Sequence, residues 1–236
     1  MIAHRSARPF PRRLASAAVA SALVAATLSL SGCFPLAATG VAVGVLAATD
    51  RRTIGTQTED TGIEVKAASR LREELKNAGG ISVTSFNRKV LITGQVIDDT
   101  TRQAAERIVA GVENVRSVHN ELQVSGRVSL GTTASDATIS TRVKAAFVDA
   151  KDLQANTVKV VTEAGVVYLM GIVSRAEGDR AAQVASRVSG VTRVVTVFEY
   201  ASADEIARIE RRSAQESQAK RSEERRVGKE CMPVCR

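Results

Sequence analysis

Two stretches of the chain that are rich in apolar residues closely resemble each other. Residues 90–96 read VLITGQV and residues 167–173 read VYLMGIV, which places the second stretch 77 residues after the first. A shorter alternating stretch precedes each of them at the same offset, at 81–84 and at 158–161. Because alternation with a period of two is typical of β-strands, each copy is predicted to contain two strands.

Helical patterns flank these strands in both copies. Ahead of the strands, apolar and small residues recur near the i, i+4, i+7 and i+8 positions, a spacing that gives a helix one buried stripe. The predicted buried positions are Val65, Ser69, Leu71 and Leu75 in the first copy and Ile139, Val143, Ala146 and Phe147 in the second. Behind the strands, an alanine-rich helical stretch runs into GVENV at 111–115 and into GVTRV at 190–194.

Short polar sequences mark the ends of these elements. Asn87–Lys89 and Glu163–Gly165 carry turn residues and predict hairpins between the paired strands. The spacing of a capping box, a hydroxyl followed three residues later by Glu or Gln, predicts that the later helices begin at Thr100 and at Ser174.

Glycines fall at corresponding places in the two copies. Gly94 and Gly171 lie inside strands, where we expect close backbone packing or a bulge. Gly111 and Gly190 are predicted to end helices in a left-handed conformation. The chain contains neither of the glycine-rich motifs that cradle nucleotide phosphates.

Each copy thus reads helix, strand, strand, helix, strand, and the chain is predicted to be an α+β protein. The two units span 60–125 and 134–200, with a short linker at 125–133. A unit of about 65 residues buries only about 60% of the surface of its unfolded chain and is marginal alone. We therefore expect the two units to pack on one another.

The first 33 residues read as a bacterial lipoprotein signal. Four arginines precede an apolar stretch at 14–30, and LSGC follows at 30–33. This order is typical of a signal peptide, here 1–32, that is cut before a cysteine whose thiol has accepted a diacylglycerol. A transmembrane anchor is the alternative, but the apolar run is shorter than the ~20 residues that a spanning helix needs.

Lipidation would tether the mature chain to a membrane. Two thioether-linked acyl chains and one amide-linked chain, such as palmitate, would hold Cys33 firmly, since a single chain binds only marginally. This covalent lipid is the only cofactor that we expect. Phe34 stands where an inner-membrane retention signal would place Asp. We therefore predict an outer-membrane protein that faces the periplasm, with residues 33–59 as its lipidated linker.

The net charge of +8 lies mostly at the two ends of the chain. Residues 1–32 hold four arginines and no acid, and residues 201–236 hold nine basic against seven acidic residues. Aromatic residues make up only 3% of the chain, too few for a platform that stacks nucleic-acid bases. Nucleic acid is therefore not an expected partner.

The carboxyl-terminal segment 201–236 is predicted to be a charged tail, helical or disordered. Capping-box spacing from Ser202 predicts a helix that continues to about Ala219. From residue 222 to the end, the sequence resembles translated sequencing-adapter sequence, so we assign no role to Cys231 and Cys235.

Candidate catalytic groups are few. Beyond the signal segment the chain has one histidine, His119, without an evident Ser or Asp partner, and a polar strand-edge position is the favoured interpretation. Asp98 and Asp99 are predicted to cap a helix and favour its dipole, rather than to act as acid and base. The sequence therefore predicts neither an enzyme nor a metal site, and no small-molecule substrate.

The paired V-x-L/I-x-G-x-V and V-x-G-V-x-x-V segments resemble the BON domain, which is named for bacterial OsmY and nodulation proteins. Segments 47–60, 160–171 and 185–191 are similar to dual-BON outer-membrane lipoproteins in particular, and the likeness covers about 33–200. This resemblance implies an αββαβ fold for each unit and a lipoprotein that faces the periplasm. It also implies binding to anionic phospholipid and a role in envelope integrity, often at the division site.

The resemblance also implies a binding surface, on the first helix of the second unit at about 136–150. The outward positions of this helix are Thr138, Thr141, Arg142, Ala145 and Val148, with Lys144 at the flank. Close relatives place a tryptophan at the position of Thr138, where an aromatic ring would sit at interfacial depth. We expect membrane contact at this helix to depend instead on Arg142, Lys144 and Val148. Each cation near an anionic surface would contribute ~1 kcal/mol to binding.

Two other interpretations stay open at this stage. The same helix face could be an ordinary solvated surface. The units could also form a periplasmic protein-interaction module that regulates envelope or peptidoglycan-remodelling proteins, with lipid contact incidental. Titration with phosphatidylglycerol distinguishes these hypotheses.

Overall fold

The computed structural model describes residues 50–75, 80–125 and 133–230, all within one compact unit, Gly44–Arg236. The predicted signal peptide 1–32, the predicted lipidation residue Cys33, most of the linker 125–133 and the two cysteines of the tail lie outside the described residues.

The described part of the first repeat is a sheet of four strands with helices against one face. In chain order it contains α1 (Ile54–Glu74), β1 (Ile81–Phe86), β2 (Lys89–Val96), α2 (Asp99–Ala110), β3 (Ser117–Asn120) and β4 (Gln123–Val124). β1 pairs antiparallel with β2. β3 and β4 both pair parallel with β2, at successive positions along it.

The second repeat follows the same path with longer strand pairing. In chain order it contains α3 (Thr133–Asp149), a short 3-10 helix (Ala155–Thr157), β5 (Val158–Glu163), β6 (Val166–Val173), α4 (Arg175–Ser186) and β7 (Arg193–Tyr200), and α5 (Ala203–Glu230) ends the described chain. β6 lies between β5 and β7, antiparallel to the first and parallel to the second. The predicted α+β order of helix, strand, strand, helix, strand is confirmed in both repeats.

Each repeat has its own core between its sheet and its helices. In the second repeat α3 buries Ile139, Val143 and Phe147, as predicted. In the first repeat the corresponding residues of α1 are Ile63, Ala67 and Leu71, at the same four-residue spacing. The prediction that Val65 lies in this stripe is wrong, because the stripe begins at Ile63 and leaves Val65 64% exposed.

The ends of the helices agree with the sequence in some places and differ in others. Ser174 and Glu177 form the predicted capping box of α4. Thr100 does not cap α2, because the Asp98 carboxylate already accepts the hydrogen bond of the Thr101 backbone N–H. α5 begins with the predicted Ser202 cap but continues beyond the expected end, to Glu230.

The predictions for the glycines also agree with the structure at some positions and differ at others. Gly111 is right-handed, with φ of −79°, because a tight last turn continues past it, so the left-handed prediction is wrong there. Gly190 has a φ of +96°, although it lies four residues beyond the end of α4. Gly94 and Gly171 serve close packing as predicted, since a Cβ would lie 1.8 Å from the Gly80 oxygen and 2.5 Å from the Thr157 oxygen, respectively.

A buried aspartate from the first helix of each repeat fastens the hairpin of that repeat. Asp136 accepts hydrogen bonds from the backbone N–H groups of Ala164 and Gly165, both at 2.9 Å. Asp60 accepts more of them: the donors are the Ser85 hydroxyl, the Asn87 and Arg88 backbone N–H groups and the Arg52 guanidinium, at 2.7–2.8 Å. The turn residues have positive φ in both hairpins, which these bonds hold in place.

The Asp60 carboxyl is strongly biased towards its charged form. Burial alone would raise its pKa, but the hydrogen bonds from Arg88, Ser85, Arg52 and Asn87 outweigh burial and hold the pKa below its usual value. The hydrogen bonds between this aspartate and its hairpin, which we call the hairpin clamp, are therefore intact at neutral pH.

The two repeats pack through the sheet faces that point away from their own helices. Phe86 and Leu91 of the first repeat join a buried apolar cluster with Tyr168, Met170 and Ile172 of β6. Val166 and Val197 complete the buried set, and Ile209 of α5 packs against it. The expected association of the two units is therefore observed, and α5 is part of the same core.

Two neighbouring arginines before α1 bind to different repeats. The Arg51 guanidinium donates to the Ile172 carbonyl and pairs with Glu177 of α4 and Glu210 of α5. Burial would lower the pKa of Arg51, but these carboxylates outweigh burial and raise it. The Arg52 guanidinium instead pairs with Asp50 and Asp60 and lies 4.0 Å from the centre of the Phe86 ring, in the first repeat.

An ion pair between the repeats covers part of the edge of β1. The Ser85 backbone N–H donates to Glu64, and the Ser85 carbonyl accepts from the Lys159 ammonium of β5. Glu64 and Lys159 also pair with each other at 3.0 Å. Ser85 and Val90 form a non-hydrogen-bonded pair of the antiparallel hairpin. The N–H and carbonyl groups of Ser85 therefore point away from β2, and without Glu64 and Lys159 they would have no protein partner.

Candidate functional site

The predicted surface helix is α3, and its orientation follows from its sequence. Ile139, Val143 and Phe147 recur every fourth residue and pack into the core of the second repeat. Asp136 fixes the start of the helix to the hairpin. With 3.6 residues per turn, positions 138, 141, 145 and 148 must then face away from the sheet.

All six predicted positions are exposed. They are Thr138, Thr141, Arg142, Lys144, Ala145 and Val148. Val148 is 71% exposed, the most exposed of the large apolar side chains in the described residues. The Thr141 hydroxyl donates to the Ala137 carbonyl of the preceding turn, which leaves its methyl group at the surface. The centre of the face is therefore an uncharged stripe of small and apolar groups.

The two cations lie on opposite flanks of this stripe. Arg142 and Lys144 are two residues apart, and so about 160° apart around the helix axis. The Arg142 guanidinium reaches the Ser189 carbonyl at 3.4 Å, which holds it beside the loop before β7. Lys144 has no ion pair or hydrogen bond to any described residue. An apolar stripe between cations can contact a surface that is both apolar and anionic.

Lys144 and Val148 also border a cleft that sequence reasoning did not predict. It lies between α3, β5 and the first repeat, where Arg52 and Phe86 contribute to its lining. Phe86 belongs to a hairpin and Arg52 to the segment before α1, so neither is near α3 in sequence. Only the three consecutive charges Asp50, Arg51 and Arg52, which follow the uncharged stretch 14–49, could have drawn attention to this region.

The other candidate groups have structural positions. His119 lies exposed on β3, and Asp98 caps α2 as predicted. Within residues 50–75, 80–125 and 133–230, no group of three or more His, Cys, Asp or Glu side chains could hold a metal ion. No helix in these ranges is long and apolar enough to cross a bilayer.

Comparison with known proteins agrees with the repeated fold. The sequence profile of the BON domain matches residues 59–126 and matches again at residues 135–202. The chain belongs to the BON-domain family. Both matched segments of this BON protein contain the helix, hairpin, helix and strand described above.

Three curated relatives match this BON protein over most of their own length. It is 38% identical over 181 residues to the outer membrane lipoprotein DolP of Haemophilus influenzae, covering 75% of this chain and 93% of that protein. It is 35% identical over 153 residues to a 21 kDa hemolysin of Actinobacillus pleuropneumoniae, covering 64% and 79%. It is 33% identical over 146 residues to the osmotically-inducible protein Y of Escherichia coli, covering 60% and 72%.

Proposed function

We propose that this BON protein is a non-enzymatic lipoprotein of the outer membrane, held by lipid on Cys33 and facing the periplasm. Its α3 face binds membrane surfaces that contain anionic phospholipid, and this binding supports envelope integrity, including at the division site. The relative named outer membrane lipoprotein DolP, matched over 93% of its length, supports the location. Nucleic acids and small-molecule substrates are not among its partners.

The surface of α3 is the observation that carries the lipid part of the proposal. Val148 is exposed beside an uncharged stripe, and Arg142 and Lys144 flank that stripe on both sides. Apolar groups enter the acyl region of a bilayer, while each cation near an anionic surface contributes ~1 kcal/mol. Two such cations assist binding, and the covalent lipid provides the anchoring.

Vesicle flotation with the unlipidated chain 34–236 tests this proposal, because this chain includes the whole compact unit Gly44–Arg236. We expect binding to phosphatidylglycerol-containing vesicles and little binding to pure phosphatidylcholine. Arg142→Glu should weaken binding about tenfold to thirtyfold, since it removes one attraction and adds one repulsion of ~1 kcal/mol each.

Lys66→Glu is the matched control. Lys66 occupies the position of α1 that corresponds to Arg142 on α3, it is exposed, and the charge change is the same. Binding that falls equally in both variants would point to net charge rather than to the α3 face. Failure of the unmodified chain to bind anionic vesicles would overturn the lipid proposal and favour a protein-interaction module.

A further inference from the structure

A groove of about 410 Å³ lies between α1 and α2 of the first repeat. Leu75 and Ile108 line it and also pack against the core of that repeat, so the part of each side chain that stays exposed forms an apolar floor. The volume falls within the range of about 300–1,000 Å³ that is typical of binding sites. At ~30 Å³ for each water-sized group, it accommodates roughly fourteen such groups, which corresponds to one or two amino-acid residues.

Two arginines, one from each helix, line this groove and keep unused hydrogen-bond donors. Arg70 Nη1 donates to the Gly111 carbonyl at 2.8 Å, which holds the guanidinium against the end of α2. A guanidinium has five N–H groups, so others remain for a ligand. Arg107 is exposed, and its guanidinium has no ion pair or hydrogen bond to another described residue. Two arginines and one glutamate, Glu74, give the lining a net charge of +1.

The second repeat has different chemistry at the corresponding positions. The N-caps Asp98 and Ser174 show that the helices of the two repeats correspond at an offset of 76 residues. At this offset Ala146, Ala150 and Gln183 stand where the first repeat has the three charged groups of the groove. The same pair of helices therefore packs in the second repeat without these charges, so the fold does not require them.

The groove lies on the opposite side of the molecule from the proposed lipid-binding face. The two sheets pack against each other, and each repeat keeps its helices on the outer face of its own sheet. α1 and α2 therefore point away from α3. When α3 contacts a bilayer, the groove faces away from that bilayer, so its ligand should come from the surrounding solution and not from the same membrane.

The lining of the groove selects one carboxylate beside an apolar group. The planar donors of arginine match the two oxygens of a carboxylate, and one arginine stands on each wall. The net charge of +1 favours a single negative charge, because Glu74 would repel a second one. The floor of Leu75 and Ile108 favours an aliphatic side chain next to that carboxylate. These requirements coincide at the carboxyl terminus of a polypeptide whose last residue is apolar.

We propose that this groove binds the free carboxyl terminus of a partner polypeptide that ends in an apolar residue. The carboxylate binds to Arg107 and Arg70, and the last side chain contacts Leu75 and Ile108. The inference goes beyond the proposed function and does not depend on lipid binding. The first repeat would then bind a protein, while the second repeat contacts the membrane.

A short peptide and its amide test the site directly. We would titrate the chain 34–236 with acetyl-alanyl-leucine and follow the amide chemical shifts. We expect saturable shifts at 70–75 and 104–111, with one peptide bound per chain. Acetyl-alanyl-leucinamide has the same side chain without the charge and should bind at least tenfold more weakly. Sodium acetate has the charge without the side chain and should also bind at least tenfold more weakly.

Arg107→Gln is the decisive variant, because it introduces the residue that the second repeat has at this position, Gln183. Arg107 is exposed, so the substitution should leave the fold intact, and it should weaken binding of acetyl-alanyl-leucine at least tenfold. Arg72→Gln is the matched control. Arg72 is exposed on α1 and does not line the groove, and the change in charge is the same. It should change binding less than twofold.

The outcomes separate this site from general attraction of anions and from lipid binding. Equal weakening in Arg107→Gln and Arg72→Gln would overturn the proposal, as would equal binding of the acid and the amide. An amidated peptide with an internal glutamate that binds as tightly would overturn the role of the chain terminus. Shifts at 104–111 on addition of phosphatidylglycerol micelles would assign the groove to lipid instead. Binding that is lost in Arg107→Gln and kept in Arg72→Gln would support the proposal, whatever the result of vesicle flotation.

Discussion

The sheets of the two repeats differ most on the face that turns away from their own helices. At equivalent positions, β2 carries Thr93 and Gln95, whereas β6 carries Met170 and Ile172. All eight residues of β6 are buried, because helices cover one face and the first repeat and α5 cover the other. The second sheet is thus buried on both faces, and the first sheet packs against one of these faces.

This difference shows how a duplicated unit acquires separate roles. The helix-facing residues are apolar in both copies, so each repeat has its own core. The other face is also apolar in the second repeat, so that repeat depends on its neighbours to cover it. Five measurements test this asymmetry, ordered from the largest expected effect to the smallest.

Shortening the side chain at the equivalent positions 170 and 93 should have unequal effects. Met170→Ala leaves a cavity in the centre of the shared cluster and should lower the free energy of unfolding by about 2–5 kcal/mol. Thr93→Ala removes little apolar volume and should cost about 1 kcal/mol or less. Urea unfolding of the chain 34–236 measures both. Equal losses would show that the two sheets contribute alike to stability.

The hairpin clamps should differ in strength and in acid sensitivity. Asp60→Asn should cost about 2–4 kcal/mol, because charge-assisted hydrogen bonds from several donors are lost. Asp136→Asn should cost about 1–2 kcal/mol, since the Asp136 carboxylate accepts hydrogen bonds from the backbone N–H groups of Ala164 and Gly165. Equal losses in the free energy of unfolding for the two substitutions at pH 7 would contradict this difference.

The pH dependence of unfolding gives a separate measure of Asp60. Its pKa is lower in the folded chain than in the unfolded chain, so its contribution is fully present above the unfolded value of about 3.9. The contribution is lost as the pH falls through the folded value. Asp60→Asn should therefore be least stable relative to the unmodified chain at neutral pH and should approach it in acid.

Arg51 and Arg52 allow each repeat to be loosened separately. Arg51→Met should expose amide protons of α5 and of the end of β6 to exchange, at a cost of about 1–3 kcal/mol. Arg52→Met should instead increase exchange around Asn87 and Arg88. Hydrogen exchange by mass spectrometry resolves the two regions. A shared pattern in both variants would contradict the assignment of one arginine to each repeat.

The smallest effect is expected at the equivalent edge positions 119 and 195. His119 pairs with Leu91 and is exposed, whereas Val195 pairs with Tyr168 and packs against the shared cluster. His119→Val should change stability by less than about 0.5 kcal/mol. Val195→His should cost about 1–2 kcal/mol, because a polar ring would enter an apolar contact. Thermal unfolding suffices to compare them.

Much of the fold follows from local signals in the sequence. The 77-residue offset predicted that the fold is repeated. The turn residues and the Ser174–Glu177 capping box reflect interactions between residues close in the chain, and the structure confirms these predictions. Two of the errors arose where two nearby residues competed for one role. Asp98 displaced Thr100 as the cap, and Ile63 displaced Val65 in the buried stripe.

The candidate site was predictable only where it lies on a single helix. Periodicity is enough to place Thr138, Ala145 and Val148 on one exposed face of α3. The cleft could not be predicted, because Phe86 reaches it through the packing of one repeat on the other. The hairpin partners of Asp60 were equally hidden, since Ser85, Asn87 and Arg88 lie 25 to 28 residues away along the chain.

The Glu64–Lys159 ion pair beside Ser85 affects how copies of the protein can associate. A protein tethered to a membrane, as we propose for this one, is confined to a plane with other copies of itself, which raises the frequency of encounters between strand edges. An open edge is a template for pairing with another chain. At Ser85 both outward backbone groups are already occupied by Glu64 and Lys159. A second copy could add a strand there only by displacing both of these side chains, so an ion pair between the repeats also opposes polymerisation.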